Sequence, residues 1–264
     1  MIALGEAERC ALAPTNYRSA TDAPAGESPA VKHGPLGRTR SKVAPTRPLQ
    51  RAQRALRRTI LRWRYWFALL GAERQLVQGL PITSLSLRSG DDDGELRSRV
   101  AGAVNLLATQ DPKRFDRIKR DLNCVFVFWI PGSWGRCFAP LKLCLLDAGF
   151  VADAATTPEL IAATIVHEAT HARLAKWGIG YDESMIPRVE RVCLQAEVDF
   201  AAKLPDGQRV REVAEAGLLA PDAYWTSPQR AQNYLQDYQE AIDKLAAPRW
   251  FRRLLQRRAR KGAA

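Results

Sequence analysis

The chain has 264 residues, a formal net charge of +12 and 46% hydrophobic residues, enough apolar material to build a packed core. Its five cysteines are odd in number and form no C-x-x-C pair, which argues against a disulfide framework and for buried thiols in a reducing compartment. The basic excess attracts nucleic acid, anionic membrane or acidic partners, and it is concentrated toward the two ends of the chain.

Residues 1–48 are rich in Ala, Pro, Gly, Ser and Arg and lack apolar periodicity, so a disordered leader is expected there. The leader has no apolar stretch of the secretory kind, and no signal peptide is expected. Residues 49–79 differ. Arg51, Arg54, Arg57, Arg58, Arg62 and Arg64 interleave with Leu56, Ile60, Trp63, Trp66, Phe67 and Leu70, the pattern of a basic amphipathic helix. The run is too short and too charged to span a bilayer. The simplest expectation is a helix packed on the domain with a solvated Arg face. An anionic membrane surface is the next reading, and a nucleic-acid backbone the last.

Residues 80–205 read as the core domain. Alternation over 82–87 predicts a strand, and Asp91-Asp92-Asp93-Gly94 a turn leading into a helix over 95–107. A second helix is expected over 112–122, then a buried strand over 124–130 and another over 136–146. After Pro205-Asp206-Gly207 breaks the chain, residues 206–264 predict C-terminal helices over 209–219 and 227–245. A second basic amphipathic tail follows from Trp250.

Between these parts lies Val166-His167-Glu168-Ala169-Thr170-His171, an H-E-x-x-H pattern in a chain with only three histidines. Thr157 as N-cap, Pro158 at the first helical position and Glu159 in the first turn open a helix, and Gly178 closes it. Residues four apart share one helix face, so His167 and His171 can present two imidazole nitrogens to one zinc ion. Glu168, rotated by about 100°, stands beside that ion, where it can take a proton from a metal-bound water.

A catalytic zinc takes three protein ligands, and no histidine follows His171. Two carboxylates remain, Glu190 and Glu197, seven apart on one face of the next helix. An antiparallel return brings Glu190 to about the level of His171 and Glu197 nearer His167. Glu190 is preferred as ligand and Glu197 as the acceptor for an imidazole N–H, with the reverse left open. Cys193 lies one turn from Glu190, within reach of a metal; packing between the two helices is the simpler expectation.

With these residues the chain resembles the gluzincins, the thermolysin-like class in which H-E-x-x-H is joined by a downstream helix Glu. The interval from His171 to Glu190 is similar to that of the thermolysin and zinc-aminopeptidase families. Glu197, followed by Phe200-Ala201 and Leu204-Pro205, is similar to the later ligand of bacterial repressor-cleaving zincin regulators. The resemblance implies an α+β zincin-like domain with a short mixed sheet, an active-site helix and a C-terminal helical subdomain. It also implies a strand before the motif that forms the rim of the cleft, Zn²⁺ as cofactor, and a peptide or protein as substrate. In its terms Glu168 is the general base, Tyr181 stands where thermolysin-like enzymes carry a transition-state donor, and the metal is held by His167, His171 and Glu190 or Glu197. The expectation is a cytoplasmic zinc metallopeptidase, peripheral on the inner membrane face. The rivals are a non-catalytic or latent zinc-binding regulatory module and a repressor-cleaving regulator.

Overall fold

The computed structural model describes residues 72–85, 92–130, 132–179 and 183–225. The expected leader, residues 49–71 of the basic segment 49–79, the helix over 227–245, the basic tail and Tyr181 lie outside the described residues. Among the described residues no helix is long and apolar enough to cross a membrane.

The fold is α+β, built on a small open sheet of five strands. β1 (Arg74–Val77) and β2 (Leu80–Leu85) form an antiparallel pair. Gln78 and Gly79, both at positive φ, make the tight turn that joins them, as a two-residue hairpin loop requires. The last residues of 49–79, expected to be helical, are thus a strand and a turn: the Gln-Gly step signals a hairpin, and Arg74 to Val77 pair with Leu80 to Thr83.

α1 (Asp93–Gln110) follows, with the Asp92 side chain capping Gly94 N at 2.7 Å. Leu96, Val100, Ala103, Val104 and Leu107 recur at helical spacing and are buried. α2 (Pro112–Asp121) turns back to β3 (Cys124–Phe128), which pairs parallel to β2. The chain then jumps to the sheet edge as β4 (Gly135–Phe138) and returns as β5 (Leu143–Asp147), inserted between β3 and β4, so that the strand order is β1-β2-β3-β5-β4. The single strand expected over 136–146 is therefore a hairpin. Pro140 lies in a 3-10 turn (Ala139–Leu141) and Lys142 takes the left-handed conformation at φ 52°, which together reverse the chain.

β3 and β5 are buried on both faces, which explains their continuous apolar sequences. Val125, Val127, Cys144 and Leu146 join the main core with α1 and α2, whereas Phe126, Leu143 and Leu145 form a second cluster. Asp147 ends β5 and caps the short α3 (Ala148–Ala152) through Phe150 N at 3.0 Å, and its other oxygen accepts from Ile130 N at 3.0 Å.

α4 (Pro158–Lys176) carries the motif. Thr157 caps it by accepting from Leu160 N at 3.4 Å, and residues 160–169 are buried on every side. A helix apolar all round belongs inside a protein, and α4 packs on α1, β4 and the next long helix. It ends in a Schellman motif: Ile179 N donates to Leu174 O and Gly178 N to Ala175 O, each at 3.0 Å, with Gly178 at φ 74°. α5 (Ile186–Ala201) returns along α4, and α6 (Gln208–Leu219) and the 3-10 turn after it (Asp222–Trp225) cover α5, with Ile186, Leu194, Ala214 and Trp225 in one cluster.

Two buried aspartates tie the helices together. Asp121 of α2 accepts from Arg173 of α4 through Nε at 2.9 Å and Nη2 at 2.8 Å. Asp111 caps α2 and pairs with Arg114 at 2.8 Å and Lys203 at 2.7 Å, while Arg114 Nη1 donates to Ala196 O of α5 at 3.1 Å. These contacts fix the register of α5 beside α4, and that register assembles the site.

Candidate metal centre

Four of the residues singled out in the sequence converge where α4 faces α5. His167 and His171, one turn apart, bring their Nε2 atoms to 3.0 Å from each other. Glu190 of α5 places Oε2 3.3 Å from His167 Nε2 and 3.7 Å from His171 Nε2. Glu197, two turns further along α5, accepts at Nδ1 of His167 at 2.5 Å. The structure thus separates the two carboxylates: Glu190 faces the Nε2 atoms of both imidazoles, and Glu197 holds the far nitrogen of one.

Glu190 is fully buried, and among the described residues neither of its oxygens accepts a hydrogen bond, the two imidazoles standing at ion-pair distance. The two imidazoles at 3.3 and 3.7 Å are all that balances this buried carboxylate, and a cation set between the three groups would satisfy them together. The donor set fits one. Bonds of about 2.0–2.1 Å in a tetrahedral site place neighbouring ligand atoms about 3.3 Å apart. The three separations of 3.0, 3.3 and 3.7 Å bracket that value. Cys193, on the same face of α5, is completely buried, and its sulfur and one atom from each of His167 and His171 all lie within 4.8 Å of one another.

The electrostatics are those of a packed charge cluster. Burial would lower the basicity of His167, but Glu190 and Glu197 hold it well above its usual value. Burial would push Glu190 up, and His171 and His167 overcome this and hold it well below the carboxylate range. A divalent ion inverts that balance by displacing protons from the imidazoles, so ion and protons compete for the same nitrogens.

Glu168, next to His167 on α4, rests against the start of β4 and lies close enough to His167, His171 and Glu190 to feel their charge. It is 4% exposed, and burial raises its carboxyl above the usual value against the pull of the two imidazoles. It lies on Gly135 at the start of β4: a Cβ at residue 135 would come within 2.9 Å of Glu168 Oε1 and 2.6 Å of Thr164 Cγ2. The edge strand can approach the motif helix only because that residue has no side chain. Sequence reasoning placed Gly135 in a turn, and no local signal announces a contact across more than thirty residues.

A pocket opens beside His167 and Glu197, lined by Trp134, Thr164, Leu194, Val213, Tyr224 and Trp225. Trp225 is 3% exposed and its indole N–H has no hydrogen-bonding partner among the described residues. Trp134 stacks on Phe150, with ring centroids 4.9 Å apart, which fixes the pocket wall on the strand side.

No family model matches this chain, no curated protein matches it, and no solved structure matches it.

Proposed function

We propose that the protein is a zinc-dependent peptidase of the zincin type, with the ion held by His167, His171 and Glu190. The observation that carries this reading is the buried carboxylate of Glu190, which accepts no hydrogen bond among the described residues and faces two imidazole nitrogens of α4 at tetrahedral spacing, with Glu168 of α4 next to the first of them. When bound, zinc supplies a Lewis acid for the scissile carbonyl and brings the pKa of a water toward neutrality.

The remaining work falls to side chains of this protein. Glu197 accepts from Nδ1–H of His167, which fixes the tautomer and leaves Nε2 free to bind the ion. Glu168 is the general base; its raised carboxyl suits it to take a proton from water and hand it to the leaving amine. β4 is the last strand of the sheet among the described residues and lies beside Glu168, and an extended peptide added along it would bond through its backbone. An apolar side chain of that peptide would enter the pocket between Trp134 and Trp225, with the indole N–H of Trp225 available to an acceptor.

Elemental analysis for zinc, followed by cleavage of a peptide library with and without chelator, tests the reading. One zinc per chain with chelator-sensitive cleavage supports it. Absence of zinc, or cleavage indifferent to chelator, sinks it.

A further inference from the structure

We infer that Cys193 is a fourth protein donor to the ion of this site, so that the centre can close as His167, His171, Glu190 and Cys193 and hold the protein latent. The inference rests on the metal-centre reading given above and adds a ligand to it.

Cys193 lies on α5 one turn beyond Glu190, on the face that meets α4. Its thiol is free, fully buried and grouped with the two histidines. A second observation points to the same spot: the fully buried Glu190 carboxylate accepts no hydrogen bond among the described residues and is faced only by the two imidazoles, at 3.3 and 3.7 Å. The other described thiols, Cys124, Cys137 and Cys144, belong to strands of the sheet.

A zinc–sulfur bond of about 2.3 Å beside zinc–nitrogen bonds of about 2.0–2.1 Å puts sulfur roughly 3.5 Å from each nitrogen. The 4.8 Å that encloses the group is close enough for rotation about one side-chain torsion to bring the sulfur in. As the sulfur–metal bond forms, the thiol releases its proton to solvent and the fourth position, which a catalytic site keeps open, is filled. Two imidazoles, a carboxylate and a thiolate neutralise a divalent ion completely. Four protein donors make the closed type of site, and three make the open type. One residue therefore separates the two, and activation consists of displacing Cys193 from the ion.

The test is cobalt substitution in the full-length protein. Cobalt(II)-loaded wild type is expected to show tetrahedral visible bands together with a sulfur-to-cobalt charge-transfer band in the near ultraviolet. Cys193→Ala and Cys193→Ser should keep the visible bands at one cobalt per chain and lose the near-ultraviolet band. Cobalt affinity should fall at least about 10-fold, as expected when a group supporting the ion is lost. Peptide cleavage by Cys193→Ala should rise. X-ray absorption of zinc-loaded wild type reads the same bond without a variant, as one sulfur at about 2.3 Å. Cobalt bound without the charge-transfer band, or a band that survives in Cys193→Ala, overturns the inference and leaves the three-ligand site standing. Failure of wild type to bind cobalt or zinc overturns both.

Discussion

Nδ1 of His167 lies 2.5 Å from Oε1 of Glu197, thirty residues along the chain, while Nε2 of the same ring faces Glu190 at 3.3 Å. The two carboxylates of one helix therefore act on opposite sides of one imidazole. Glu190→Ala should cost most of the zinc affinity, because it removes a ligand. Glu197→Ala should cost about 10–100-fold, the usual effect of losing the group that orients a ligand histidine. Chelator-competition titration of the two variants ranks them. The reverse ranking would make Glu197 the ligand and strengthen the likeness to the repressor-cleaving regulators.

The ion should also support the fold, since it binds only the native arrangement of α4 and α5. At a free zinc concentration 1,000 times the dissociation constant the stabilisation is about 4 kcal/mol. For a domain of this size that corresponds to roughly 8–16 °C in Tm. Differential scanning calorimetry with zinc and then with excess chelator should show a shift of that order, and Glu190→Ala should show almost none. Equal melting of wild type in both conditions would rule out a bound ion of this strength.

Glu168→Gln keeps the size of the side chain and removes its proton acceptor. Zinc content and Tm should be unchanged, because Glu168 is not one of the ligands and the amide fills the same space against Gly135. Hydrolysis should fall by at least about 10²-fold, the lower range for loss of a general base. A variant cleaving at near-native rate would show that the proton goes elsewhere.

Much of this site was legible because its signals are local. Thr157, Pro158 and Gly178 bound the motif helix in the sequence, and the structure uses Thr157 and Gly178 as cap and terminator. The pairing of Glu190 and Glu197 on one face needed only helical periodicity and an antiparallel return. That rule put Glu190 level with His171, whereas it reaches both rings and lies nearer His167. What stayed hidden depends on contacts between distant segments. The hairpin β4–β5 reads as one strand because both arms are apolar, although Pro140 marks the break. Gly135 and the neighbours of Cys193 become meaningful only when sheet and helices are stacked.

Asp111 supplies a test of the scaffold that holds α5 in register. It is 2% exposed; burial pushes its carboxyl up, but Lys203 and Arg114 prevail and hold it below its usual value of 3.8. A carboxyl lowered in the folded state contributes stability that is complete above the unfolded value and is lost as pH falls through the folded one. Asp111→Asn keeps an acceptor for the α2 cap and removes the charge. It should cost about 1–2 kcal/mol near neutrality, the range for hydrogen bonds to a charged group discounted for the half-exposed Lys203. Urea unfolding should show the two proteins apart above about pH 4 and converging in stronger acid. A gap independent of pH would mean that the charge is not the stabilising element.

The edge strand β4 touches the proposed general base at Gly135. A methyl group at residue 135 would lie 2.6 Å from Thr164 Cγ2, 2.9 Å from Glu168 Oε1 and 3.0 Å from Glu168 Cγ. Thr164 cannot yield easily, because its hydroxyl is bonded to Leu160 O at 2.9 Å and α4 is packed on every side. Glu168 and β4 must therefore shift. Overpacking of this kind costs about 1–3 kcal/mol, so Gly135→Ala should lower Tm while the protein still folds. His167, His171 and Glu190 are not among the atoms this methyl group would meet first, and zinc content should stay at the wild-type level. Hydrolysis should fall through kcat, because the displaced carboxylate no longer stands where the proton is transferred. Steady-state kinetics beside zinc analysis and melting separate the outcomes. Loss of zinc together with activity would place the damage in the ligand set, and wild-type kcat would show that Glu168 does not depend on its glycine floor.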